Sequence, residues 1–197
     1  MKTIKKWMCI FSILSLSGMS SAVLGQFTGT MVFTNMGKER HFKVYQADEG
    51  YRYDFDEDGQ QGAVIVKVGS AEVIMLMPRQ KMAMKSPAGS PMSMGNDPLK
   101  SFEYYQEGGI MKEEGKETVN GIACTKSSLW NKDNPEQKMF TVWFSDKYKF
   151  PMKMVNHIDG QEDSGMEMRD VEPWSPDPGM FEIPAGFQVM EMPGMGQ

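Results

Sequence analysis

Residues 51–85 read YRYDFDEDGQQGAVIVKVGSAEVIMLMPRQKMAMK, and the fold class follows from this stretch. Tyr51, Tyr53 and Phe55 alternate with Arg52, Asp54 and Asp56, the period-two pattern of a half-buried strand. A polar turn, Glu57 to Gly62, leads into Ala63-Val64-Ile65-Val66-Lys67-Val68. Gly69-Ser70 turns the chain again, into Glu72-Val73-Ile74-Met75-Leu76-Met77. Pro78-Arg79-Gln80 breaks that strand, and Lys81-Met82-Ala83-Met84-Lys85 alternates cleanly after it. The two middle strands are apolar on both faces, which predicts the centre of a sheet covered on both sides.

Outward from this meander the pattern continues. Phe27, Gly29, Met31 and Phe33 alternate with Thr28, Thr30, Val32 and Thr34, and Asn35-Met36-Gly37-Lys38 turns this first strand into a second, Arg40 to Tyr45. Residues 86–96 carry Pro87, Gly89, Pro91 and Gly95 and read as a loop. Asp97 and Pro98 form an N-cap and first helical position, with Leu99, Phe102 and Tyr105 on one face of a short helix. Residues 108–115 read as loop. Asn120-Gly121 is a hairpin signal, and strands follow at 122–130, 139–144, 153–155 and 165–171. Residues 174–179 are rich in Pro and Asp and read as irregular, and Phe181 to Phe187 reads as a closing segment that docks. The expected architecture is mainly β, a curved antiparallel sheet with one short helix and a Met/Pro/Gly-rich loop. Its expected organisation is a signal peptide over 1–25, one domain over 26–188 and a flexible tail over 189–197.

The N-terminus carries a basic segment (Lys2, Lys5, Lys6), an apolar run from Trp7 to Leu16, and small residues ending at Gly25. That order predicts export with cleavage before Gln26, into the periplasm or beyond. The apolar run is too short for an uncleaved anchor, so no membrane-spanning segment is expected after cleavage. The whole chain has a formal charge of −5, and loss of those three lysines takes it to −8. A balance this acidic disfavours nucleic acid and anionic head groups as partners. Cys124 is the one cysteine left after cleavage, so no internal disulfide is expected.

Methionine is the compositional anomaly. Of 21 methionines only Met1, Met8 and Met19 fall in the first 25 residues, while Leu76, Leu99 and Leu129 are the only leucines beyond them. Methionine has taken over leucine's usual role, with a flexible, polarizable side chain suited to irregular apolar surfaces. Twelve of the methionines stand as six M-x-M pairs, at 75/77, 82/84, 92/94, 152/154, 166/168 and 190/192. On a strand, i and i+2 share a face. Such a face can line an apolar groove, or its thioethers can hold Cu(I).

Other chemistry is sparse. Asp54 to Gly59 matches the first half of a calcium loop, but Ile65 stands where the loop needs a bidentate carboxylate. His41 and His157 have no acid or cysteine at a useful spacing in sequence, although folding can still bring a histidine to Cys124. No phosphate loop, zinc spacing or nucleophile elbow is present.

Three stretches carry a family resemblance: Gly115 through Gly121-Ile122-Ala123-Cys124; Trp143-Phe144-Ser145 with Phe150-Pro151-Met152-Lys153; and Phe181-Glu182-Ile183-Pro184-Ala185-Gly186-Phe187. Together they resemble an uncharacterised exported bacterial domain family. That family is similar in architecture to the LolA and LolB lipoprotein carriers, whose curved sheet wraps an apolar cavity. The resemblance implies a half-barrel fold more than an activity.

The reading is an exported, non-enzymatic protein without cofactor that binds an apolar or amphipathic ligand, a lipid or acyl chain, on a Met-rich sheet face. Its expected lining is Val64, Val66, Val73, Met75, Met77, Met82 and Met84, with Phe140, Val142 and Met154. One alternative is a periplasmic Cu(I)-binding protein using Met82, Met84, Met92 and Met94. Another is an envelope scaffold that binds a protein partner.

Overall fold

A computed structural model describes residues 25–57, 59–88, 98–157, 164–177 and 179–192. Among the described residues, twelve strands and one α-helix follow one another. The first meander comprises β1 (Phe27–Asn35), β2 (Lys38–Ala47), β3 (Gly50–Glu57), β4 (Gln60–Lys67), β5 (Glu72–Met77) and β6 (Met82–Pro87). Helix α1 (Pro98–Gly108) leads to the second: β7 (Gly109–Val119), β8 (Ile122–Asn131), β9 (Lys138–Ser145), β10 (Phe150–Asn156) and β11 (Gly165–Pro173). A short β12 (Gln188–Glu191) ends the sheet. The lateral order is β12-β6-β5-β4-β3-β2-β1-β11-β10-β9-β8-β7, one open sheet in which only the β12–β6 pair is parallel. This is the mainly β, almost wholly antiparallel single-sheet architecture expected from the sequence. No helix of the described residues is long and apolar enough to cross a membrane.

Local chemistry explains the turns. Asn120 and Gly121 both take positive φ, 47° and 82°, as a type I′ hairpin turn requires. Arg79 lies in a single 3-10 turn, Pro78–Gln80, at the break the sequence marked.

Three segments differ from the sequence reading. Residues 109–115, expected as loop, form the first part of β7, paired with β8 and without a second neighbour. An edge strand can be charged on both faces, so GIMKEEGKETV carries no alternation to read. The helix runs three residues past Tyr105, to Gly108. The ordered chain also continues beyond residue 188: β12 pairs with β6, and the amide of Met192 donates to the carbonyl of Lys85 at 2.8 Å.

Both sheet faces are apolar near the middle. On one face, Ala47, Ala63, Ile65, Ile74, Leu76 and Ala83 pack beneath Phe181, with Trp174, Met180, Ile183 and Phe187 around it. This is the docking segment expected from the sequence. Arg52 pins it by donating from Nη1 to the carbonyl of Met180 at 3.1 Å, and Trp174 lies with its ring 5.3 Å from that of Tyr45. The other face carries the larger core, which runs from Val73, Val64 and Tyr53 through Val44, Phe27 and Met31 to Phe150, Met152, Met166 and Met168.

Candidate apolar binding face

Register places all ten expected lining residues on that second face. Val64 sits opposite Met75, Met75 opposite Met84, Val66 opposite Val73, and Met77 opposite Met82. Moving across the sheet, Val64 pairs with Tyr53, Tyr53 with Val44, and Val44 with Gly29, two residues from Met31. Met31 pairs with Met168; Met166, on the same side of β11, pairs with Met154, and Met154 with Val142. Phe140 shares the side of Val142 by strand alternation.

Burial divides the ten into two groups. Val64, Val66, Val73, Phe140 and Val142 are buried. Met75, Met77, Met82, Met84 and Met154 are half-buried. The valines and the phenylalanine therefore form a floor, and the flexible thioethers are the more open part of the face. Ala88 and Leu99 both pack against the same core. Met92 and Met94, of the copper alternative, lie outside the described residues.

At the β7–β9 end, α1 covers this face. Phe102 stacks on Phe144 with ring centres 5.9 Å apart, and Tyr105 lies 4.6 Å from Phe140. Between helix and sheet runs a cleft of about 590 Å³. Phe102, Met111, Val142 and Phe144 supply its apolar lining, and Gln106, Glu113, Lys116 and Asp146 its polar groups. A second cleft of about 440 Å³ lies between Tyr104, Tyr105, Glu107, Gly108 and Met139. Of these residues the sequence reading placed only Val142 in the lining. Phe144 was legible from its i+2 spacing to Val142, and Phe102 from the helical face it shares with Leu99 and Tyr105. Met111 was hidden because β7 reads as loop.

The opposite side of the β8–β11 sector is charged. Trp143 pairs with Lys126 and Lys153, and Lys153 with Glu167. Lys126 binds Glu117 at 2.8 Å, and the Trp143 indole donates to the same carboxylate at 2.7 Å. These two donors, Lys126 first, hold Glu117 below the usual carboxylate range. Glu167 is held low by the Asn120 amide and then by Lys153. Polar ladder on one side and methionine on the other make this sector amphipathic.

The histidines, the cysteine and the acidic turn each have contacts of their own. His157 shares a 2.8 Å hydrogen bond with Thr141, and burial keeps its pKa below the ordinary value. His41 sits 3.4 Å from Glu39. Cys124 is buried, donates to the carbonyl of Ile122, and has its thiol pKa raised by burial, the direction that disfavours a thiolate nucleophile. Within the half calcium motif, Asp54 pairs with Arg52 at 2.6 Å and Asp56 accepts from Gln61 at 2.7 Å.

Fold and face together define, among the described residues, one open sheet with an α-helix over an apolar side. No protein-family model matches the chain, and no curated protein matches it. Among solved structures it is similar to an uncharacterized conserved protein from Thermus thermophilus, with a TM-score of 0.56 and 11% identity, over 87% of this chain and 93% of that one. It is also similar to a chain of the Pseudomonas aeruginosa MucA/MucB complex, with a TM-score of 0.53 and 15% identity, over 84% of this chain and 58% of that one. A structure of MucB in complex with MucA(peri) gives a TM-score of 0.52 and 15% identity, over 86% and 57%. The chain thus spans little more than half the length of its matches in the two MucA/MucB structures. At such identities the likeness is one of fold.

Proposed function

We propose that the protein is an exported, non-enzymatic binder of an apolar or amphipathic ligand, an acyl chain or lipid, held on the methionine-bearing face. The observation that carries this reading is the register, which gathers the ten lining residues onto one side of the sheet. Met75, Met77, Met82, Met84 and Met154 take the acyl methylenes over the buried valine floor, gaining about 0.8 kcal/mol for each CH₂ removed from water. The cleft beneath α1 continues this surface and falls within the roughly 300–1,000 Å³ typical of small-molecule sites. Its mixed lining suits a ligand with a polar end, Lys116 and Gln106 meeting the head and Phe102 and Phe144 the chain. The N-terminal sequence supports delivery of this protein to the periplasm.

The likeness to a chain of the MucA/MucB complex supports a second reading, in which an envelope protein occupies the same face. One experiment separates the two. The protein is recovered from the periplasm and examined by native mass spectrometry, followed by titration with a fluorescent fatty acid. A species beginning at Gln26 with a lipid adduct, and saturable displacement by the probe, are expected. A protein that carries no lipid and binds no probe would end the carrier reading.

A further inference from the structure

The methionines fall into two populations. Met31, Met152, Met166 and Met168 are at most 4% exposed and fill the core. The methionines of β5, β6 and β12 are not consumed in that way: Met75, Met77, Met82 and Met84 are half-buried, and Met190 is 49% exposed. Register joins three of them in one lateral row. Met75 sits opposite Met84 across the antiparallel β5–β6 pair, and Met84 opposite Met190 across the parallel β6–β12 pair. Met77, Met82 and Gln188 form the neighbouring row. Across the antiparallel β5–β6 pair, side chains directly opposite have Cβ atoms about 4.5–5.5 Å apart; β12 lies one strand spacing, about 4.8 Å, beyond β6, and each methionine has three rotatable bonds with which to swing its sulfur.

We propose that Met75, Met84 and Met190 form a thioether site for Cu(I), with Met77 and Met82 available from the adjoining row. Thioethers alone select a soft monovalent ion over the harder divalent metals, which prefer imidazole or carboxylate. Among the described residues, no three His, Cys, Asp or Glu side chains stand together as a competing site. The nearby charged residues Lys85 and Glu72, which pair at 3.0 Å, alternate onto the other side of their strands. The site lies at the β12 edge of the sheet, where Met190 is open to an incoming ion. It needs Met190, from a segment that reads in sequence as tail, so an M-x-M pair on one strand is not enough.

The test is competition for Cu(I) between the purified chain and a chromophoric Cu(I) chelator under reducing, anaerobic conditions. The wild type is expected to withdraw one equivalent, with the ε-methyl carbon signals of Met75, Met84 and Met190 shifting and those of Met31 and Met168 unmoved. The M75L/M84L/M190L variant is expected to leave the copper with the chelator, and the M31L/M168L variant to behave as wild type. Leucine for methionine conserves volume and costs little stability, and the M190L single variant changes only a half-exposed side chain and is expected to bind more weakly. A wild type that takes no copper, or a triple variant that holds it as tightly as wild type, overturns the proposal. Met190 lies outside the acyl lining, so M190L is expected to leave fatty-acid probe binding at wild-type strength while weakening copper binding, which separates this site from the apolar reading.

Discussion

Met77 and Val64 stand on the same face of neighbouring strands, yet a charge at the two positions meets different surroundings. Val64 is 1% exposed, whereas Met77 is half-buried. A carboxylate at 64 has neither water nor a cation within the floor, so it bears its desolvation unpaired. Val64→Glu should therefore destabilise by about 4 kcal/mol or more, the scale reached when an unpaired charge is buried. Met77→Glu keeps part of its hydration; the protein should fold with a nearly unchanged denaturation midpoint and lose the fatty-acid probe. Urea denaturation and probe titration of both variants make the comparison. Probe binding to Met77→Glu at wild-type strength would remove this half of the face from the site.

Between elements, one polar tie lies where the β7–β8 hairpin meets β11. The Asn120 side chain donates to Glu167 at 3.0 Å and to the carbonyl of Met168 at 2.8 Å, while Lys153 pairs with Glu167 at 3.2 Å. These partners lower the folded pKa of Glu167. A carboxylate depressed in the folded state contributes stability that is full above its unfolded value of about 4.3, and that contribution is lost as pH falls through the folded value. Glu167→Gln should therefore be less stable than wild type at neutral pH, and the gap should close as pH drops below about 4. Denaturation midpoints measured at both pH values decide it; an equal gap at both would assign the loss to packing alone. Legibility from sequence also divides at this scale. Ala63 to Val68 and Val73 to Met77 announce themselves because each must be covered on both faces. The docking of Phe181 was legible too, since Phe181, Ile183 and Phe187 in a Pro- and Gly-containing segment need a surface. The extent of β7 was hidden, because an edge strand owes nothing to the core on either side, and β12 is short enough to read as tail. Of the candidate site, the pleat gives which residues share a face within one strand. Their alignment across strands, such as Met84 beside both Met75 and Met190, depends on register between distant segments, which no local pattern records.

Over the whole molecule, the decisive pairing is β1 with β11. Two meanders that each pair strand to strand could form two independent sheets, but the N-terminal strand sits between them and bonds to both β2 and β11. The large core crosses this seam without a break, and Phe27 sits in its middle, 0% exposed, with its ring 4.9 Å from Tyr148 and 5.6 Å from Phe150. The two halves therefore share buried apolar surface, and neither can be lost without exposing the other's core. The expected outcome is one cooperative unfolding transition. Trp143 reports on β9, and Trp174, packed on Tyr45 and Phe181, reports on the first meander. In the chain beginning at Gln26, which lacks Trp7, W130F/W174F leaves the signal of Trp143 and W130F/W143F that of Trp174. Each fluorescence curve should superimpose on the far-UV circular dichroism curve of the same variant. Phe27→Ala in either background should shift both probes together by about 3–5 kcal/mol, the cost of emptying a buried phenylalanine site. If Phe27→Ala moved the Trp143 transition and left that of Trp174 in place, the halves would be separate folding units, and a ligand face continuous from β6 to β9 would lose its structural basis.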